Sequence, residues 1–139
     1  MSQIKLCIFI FLIISHFLYG ESISIKSLEF SVKIERDEWG VPHIYGKRDA
    51  DVSFGLAYAH AQDDFTTIFD ILLATRGELA SVYGKGAAVN DYYVHLMDLW
   101  NTIDTNYESD VADDVKLLCD GYAAGLNLFL EDYPKQGGD

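Results

Sequence analysis

The sequence predicts an α+β fold that is mainly α, with an N-terminal β-hairpin followed by helices. Three observations predict it. Residues 28–36 alternate apolar and polar as far as Glu35, the chain from Val52 to Arg76 repeats apolar residues at helical spacing, and so does the stretch from Val111 to Phe129. A period of two puts alternate side chains on opposite faces of a strand, whereas a period of 3.6 gathers them along one side of a helix. With 139 residues, half of them hydrophobic, the chain is long enough for one domain with a real core, and this composition excludes wholesale disorder.

The first element is a half-buried strand with Leu28, Phe30, Val32 and Ile34 on one face and Glu29, Ser31, Lys33 and Glu35 on the other. Asp37-Glu38-Trp39-Gly40 supplies turn chemistry. Val41 to Tyr45 then reads as a second short strand, ended by Gly46. Pro42 lacks an amide donor, which places that strand at a sheet edge, or the proline at its first residue. The hairpin's apolar face calls for a sheet partner that the pattern does not supply, so residues 21–139 are expected to pack loosely and to associate.

Asp49 or Asp51 can cap the next element, which carries Val52, Leu56, Ala59, Phe65, Ile68, Ile71, Leu72 and Thr75 as far as Arg76 and stops at Gly77. The spacing allows one long helix or two, and Gly55 weakens it. Glu78 to Tyr83 reads as a short helix closed by Gly84, Gly84-Lys85-Gly86 as a loop, and Asp91 to Ile103 as another short helix. The last helix starts near Ser109 or Asp110, presents Val111, Val115, Leu118, Tyr122, Leu126 and Phe129 as a stripe, and ends before Pro134.

Charge narrows the function classes. The formal charge is −12, from 22 Asp and Glu against 10 Lys and Arg, and from Gly86 onward 11 acidic residues face only Lys116 and Lys135. Nucleic-acid binding needs clustered basic residues, so it is excluded, and anionic membrane surfaces are disfavoured on the same grounds. Residues 1–20 form a separate segment, with Lys5, an apolar run from Leu6 to Tyr19 and the small Gly20. This is the pattern of a secretory signal peptide. The run falls short of the ~20 residues a membrane span needs, so no stable anchoring is expected. Cys7 lies in this segment and leaves Cys119 alone in the mature chain, where its neighbours Leu117 and Leu118 suggest a buried small hydrophobe.

Few residues suggest chemistry of their own. No Gly-x-Ser-x-Gly elbow is present. His60, Asp63 and Asp64 sit at i, i+3 and i+4 and could share a helix face toward a cation, giving a metal-dependent enzyme, but no fourth ligand stands at motif spacing. The plainer reading puts Asp63 and Asp64 on a solvated face or at a cap. His43 after Pro42 could act as a base but reads as a structural hydrogen-bonding residue. Gly84-Lys85-Gly86 lacks the length and ending of a phosphate loop, and Asp113-Asp114 lacks calcium-loop spacing and reads as the wet side of the last helix. Tyr92, Tyr93 and Trp100 read as core or interface rather than a ligand platform.

Two longer segments carry a resemblance. Ile34-Glu35-Arg36-Asp37-Glu38-Trp39-Gly40-Val41-Pro42-His43-Ile44-Tyr45-Gly46, and then Asp49 through Asp63 with its Ala59-His60-Ala61-Gln62-Asp63 end, closely resemble the start of the α chain of the penicillin acylase family. Thr75-Arg76-Gly77-Glu78-Leu79-Ala80, Tyr83-Gly84 and Gly121-Tyr122-Ala123-Ala124-Gly125-Leu126-Asn127 follow in the same order. The resemblance spans about residues 30–133. Asp64 departs from the pattern, which commonly has Arg after Gln-Asp, and this puts in question the salt-bridge partner next to Asp63.

The resemblance implies an exported amidase of the N-terminal-nucleophile hydrolase superfamily, made as one precursor and cut into an α and a β chain. The nucleophile is the first serine of the β chain, with its own α-amine as base. The substrate class is an acyl amide, of the penicillin or acyl-homoserine lactone type. The β chain begins with Ser-Asn, a pair absent from this sequence. Calcium belongs to the full-length family fold, with ligands mostly in the β chain and one α-chain carboxylate beyond the equivalent of Asp139. No catalytic, cofactor-binding or metal residue is therefore assigned within 1–139. The expected architecture is an incomplete piece of the family's αββα sandwich: a signal peptide over 1–20 and a truncated N-terminal part of the α chain over 21–139, secreted or periplasmic and inactive alone, with the β chain of the same precursor as partner. A self-contained secreted acidic helical binding module derived from the same scaffold is the alternative.

Overall fold

The computed structural model describes residues 21–27 and 29–136. The signal segment, Leu28 and residues 137–139 lie outside the described residues. Three strands form one antiparallel sheet in the order β1 (Ser22–Lys26), β2 (Ser31–Arg36), β3 (Pro42–Gly46). The hairpin is present as read, with Arg36 opposite Pro42 and Ile34 opposite Ile44. Pro42 is both the first residue of its strand and on an edge, where the missing donor costs no ladder bond.

Strand β1 is an addition to the expected hairpin. Ile23 and Ile25 pair with Ile34 and Val32, extending the apolar face that the hairpin alone leaves short. The strand read from residue 28 begins at Ser31 instead. The chain before it bends because the Ser27 hydroxyl accepts the amides of Glu29 at 3.3 Å and Phe30 at 3.0 Å, a competing local bond that ends strand pairing. Phe30 remains buried from this bend.

Five helices follow: α1 (Asp49–Arg76), α2 (Leu79–Tyr83), α3 (Ala88–Leu96), α4 (Leu99–Asp110) and α5 (Asp113–Asp132). A 3₁₀ turn over Gly84–Ala87 joins α2 to α3 where a loop is expected. The single helix expected over 91–103 is two, broken at Asp98, whose φ of 50° is left-handed. Helix α5 starts three residues later than its predicted start, after an extended Ala112.

Helix α1 is the central layer, with the sheet on one side and α5 on the other. A Cβ on Gly55 would stand 2.8 Å from Cγ2 of both Val32 and Ile44, so the glycine that weakens the helical reading is what lets the sheet close on the helix. The core is Phe30, Val32, Ile34, Phe54, Tyr58, Ile68 and Phe129 with the small Ala50, Ala59 and Ala61. Phe30 stacks on Phe54 at 5.7 Å, and Phe129 meets Phe65 at 5.4 Å and the edge of Tyr58 at 6.1 Å. The Tyr58 hydroxyl donates to Asp132 at 2.7 Å, and burial, followed by that carboxylate, pushes its phenol well above the usual range. The sheet partner that the hairpin pattern does not supply is thus found in β1 and in α1, which covers the apolar face.

The apolar stripes are displaced from the buried faces. In α1 Leu56, Ile71 and Leu72 are exposed. In α5 the buried positions are Gly121, Gly125 and Phe129, and Val115 is exposed. Cys119 is also exposed, against expectation, because it lies on the side of α5 away from this contact.

Candidate functional site

A polar grouping forms where β2 ends, the hairpin turns and α1 kinks. Position 36 has the parity of Val32 and Ile34, so a strand that keeps its alternation turns Arg36 toward the buried face. There the guanidinium donates to the Gly40 carbonyl at 2.7 Å, lies 2.8 Å from one Asp63 oxygen and 3.3 Å from the other, and reaches the Ala59 carbonyl and Gln62 Oε1 at 3.4 Å. Its side chain is 20% exposed and that of Asp63 51%. One planar fork thus ties the hairpin turn to the helix, a geometry Lys cannot reproduce.

The turn is prepared locally. Asp37 accepts the amides of Trp39 and Val41 at 2.9 Å, and His43 Nε2 stands 3.3 Å from its second oxygen. The Val41 amide above all, with His43 and the Trp39 amide, holds this carboxyl below its ordinary value. Gly40 takes φ of 80° to close the turn, a left-handed conformation that favours glycine. His43 is exposed and engaged with Asp37, as its structural reading anticipates.

His60, Asp63 and Asp64 do not converge. Asp63 turns to Arg36. Asp64 leaves helical geometry (φ −155°, ψ 71°), and its carboxylate accepts the Thr67 hydroxyl at 2.6 Å and the Thr67 amide at 3.1 Å, restarting the helix as an internal cap. Thr67, hydroxyl first, also keeps this carboxyl below its usual value. His60 Nδ1 lies 3.4 Å from the Tyr122 hydroxyl on α5. One side chain joins the sheet, one caps and one faces α5, so the plainer reading of the acids holds. The departure at Asp64 leaves Asp63 its cationic partner.

A second ion pair closes the start of α1. Arg48 is the N-cap residue and Asp51 caps from inside, accepting the Arg48 amide at 3.1 Å, the Arg48 guanidinium at 2.8 and 3.1 Å and the Ser31 amide at 3.3 Å. Asp51 is 4% exposed. Arg48, and then these amides, lower its carboxyl to about 2 despite burial.

Elsewhere, serine hydroxyls serve the backbone. Ser53 donates to the Leu118 carbonyl at 2.8 Å and Ser81 to that of Glu78 at 2.6 Å. Trp100 donates to the Thr75 carbonyl at 2.8 Å with Arg76 over its ring at 4.4 Å. Tyr92 and Tyr93 stand exposed rather than in a core. Asp113 is exposed, and Asp114 engages the neighbouring Val115 amide at 2.9 Å. Among the described residues no three His, Cys, Asp or Glu side chains are grouped to hold a metal. Calcium, which the resemblance implies for the full-length fold, finds no such donor set among the described residues. Among the same residues no helix is long and apolar enough to cross a membrane.

Beside Arg36 lies a cavity of about 220 Å³ lined by Glu21, Ile23, Ile34, Arg36, Gln62 and Asp63. Neither this cavity nor the Arg36–Asp63 pair was assigned from the sequence, although the inward parity of position 36 was a usable signal.

Comparison with known proteins places this arrangement. Residues 31–137 match the family model described as penicillin amidase. The penicillin acylase 2 proenzyme of Pseudomonas sp. (strain SE83) is 33% identical over 112 residues, covering 78% of this chain and 14% of that protein. The acyl-homoserine lactone acylase PvdQ of Pseudomonas fluorescens (strain Pf0-1) is 27% identical over 130 residues, covering 85% and 17%. Among solved structures, the thermostable penicillin G acylase from Alcaligenes faecalis superposes with a TM-score of 0.67 at 25% identity, over 81% of this chain and 56% of that one. The chain spans 14% and 17% of the length of these two curated relatives.

Proposed function

The chain belongs to the penicillin amidase family, and we propose that it is the opening part of the α chain of an exported acylase, which hydrolyses acyl amides of the penicillin or acyl-homoserine lactone kind. The observation that carries this reading is the extent of the match. Residues 31–137 take in β2, the Arg36 junction and both helices that meet at Gly121 and Gly125. Two relatives, a penicillin acylase proenzyme and an acyl-homoserine lactone acylase, support the substrate class and a precursor that is processed. Lys5 and the apolar run to Tyr19 support export to the periplasm or beyond.

In this reading the nucleophile is a serine at the start of a β chain. Its hydroxyl attacks the acyl carbonyl while its own α-amine takes the proton, the amine product leaves, and water then releases the acyl group. The 139 residues contribute none of these reacting groups. Arg36 and Asp63 hold the hairpin at a fixed angle to α1, and the three-layer packing gives the partner chain a rigid seat. Calcium, where the complete enzyme holds it, is bound by residues outside this part.

The test is to read the gene downstream of codon 139 and to assay the exported chain with and without that remainder. The chain alone should release no acid above background from phenylacetyl amides, penicillins or acyl-homoserine lactones, and co-expression of the remainder should restore release. Hydrolysis by the chain alone, lost in His60→Ala and with chelators, would put a metal-dependent enzyme in its place. A clean stop with no acylase sequence downstream would favour the binding module.

A further inference from the structure

We propose that the α-ammonium group created at Glu21 when residues 1–20 are removed docks in the cavity beside Arg36 and Asp63 and locks the first strand to α1. The inference rests on the export reading. In the cut, water adds across the Gly20–Glu21 amide. Its oxygen goes to the Gly20 carbonyl, which leaves as a carboxylate, and Glu21 keeps the nitrogen as an ammonium.

Charge balance in the cavity points to a cation. The walls of this space of about 220 Å³ carry two carboxylates, Glu21 and Asp63, against one guanidinium, Arg36, with the neutral Gln62 between them. The set is one positive charge short. Ile23 and Ile34 form the apolar part of the wall, where water screens an ion pair less than at an open surface.

Placement follows from the strand. The Glu21 carbonyl accepts the Arg36 amide at 2.8 Å, so the backbone of Glu21 is pinned to the end of β2. The nitrogen of the same residue, two covalent bonds from that carbonyl carbon, therefore stays near the cavity that Glu21 helps to line. Before the cut it is a neutral amide, and afterwards it supplies the missing charge. The other titratable groups nearby are committed elsewhere: Glu35 to Lys33 on the outer sheet face, Asp64 to Thr67, and His60 to Tyr122.

The experiment expresses the full 139-residue chain in an exporting host and purifies the exported product. Intact mass identifies the N-terminus, and the α-amine is titrated by NMR in buffer, in strong urea and in the Asp63→Asn variant. With Glu21 first, the amine should titrate above its ordinary 7.7–8.0, by enough to lower its uncharged fraction at pH 7 about threefold or more. It should return to the ordinary range in urea and fall toward it in Asp63→Asn. Selective N-acetylation of the wild-type product should also lower its unfolding midpoint. Any other N-terminus overturns both the cleavage reading and this proposal. A Glu21 terminus that titrates in the ordinary range in buffer, with a midpoint indifferent to acetylation, overturns this proposal and leaves export standing.

Discussion

Gly125 and Phe54 meet backbone to backbone: a Cβ placed on Gly125 would stand 2.2 Å from the Phe54 carbonyl oxygen and 2.8 Å from Ala57 Cβ. One turn earlier Gly121 stands in the same relation to the Ala50 carbonyl, at 2.4 Å. At these two turns the α1–α5 contact is therefore backbone against backbone, with no room for a side chain on the α5 side.

Gly125→Ala is accordingly expected to destabilise the protein by about 3 kcal/mol, because the added methyl meets a backbone atom that cannot step aside. At an ordinary helix position the same change stabilises by ~1 kcal/mol, so the sign alone is decisive. Urea unfolding checks it, and an unchanged or raised midpoint would remove the close-contact account of this helix pair.

Asp51 predicts an acid response. Its carboxyl is lowered to about 2 in the folded chain, against an ordinary 3.8. A group with a lowered folded value stabilises fully above the unfolded value and loses that contribution as pH falls through the folded one. Stability should thus decline between about pH 4 and pH 2. Asp51→Asn should cost about 2 kcal/mol near neutrality, where a charged hydrogen-bond network is lost. The variant and wild type should converge at the acid end. Parallel pH curves would show that the Arg48–Asp51 pair carries no weight.

Arg36→Lys keeps the charge but offers a single nitrogen to acceptors on two segments, the hairpin turn at Gly40 and α1 at Ala59, Gln62 and Asp63. A loss of about 1–2 kcal/mol is expected, with Asp63→Asn costing less because that carboxylate is half-exposed. A double-mutant cycle measures the coupling. Strictly additive effects would mean that the fork does not join turn and helix.

Trp100→Phe should act locally. It removes the 2.8 Å bond to the Thr75 carbonyl and keeps a ring for Arg76, while α4 has no buried residue of its own. Amide exchange over residues 99–110 should quicken several-fold with little change in the global midpoint. A large drop in that midpoint instead would make α4 part of the cooperative core.

The amino-acid sequence by itself determined the hairpin, its turn at Asp37–Gly40, the edge position of Pro42 and the two long helices, because each depends on a local period or on residues within one turn of each other. Ile23 and Ile25, alternating with Ser22, Ser24 and Lys26, also carry the signature of β1, but so short a run acquires meaning only from the strand it pairs with. Tertiary structure alone decided which faces are buried. Apolar side chains mark a helix face only where helices stay a side chain apart, and at Gly121 and Gly125 the backbones touch, so the buried face of α5 is written in glycine and its predicted stripe is left partly in the open. The same holds for Arg36 and Asp63: they are 27 residues apart, their attraction is invisible to any local pattern, and only the folding of α1 across the sheet brings them to 2.8 Å.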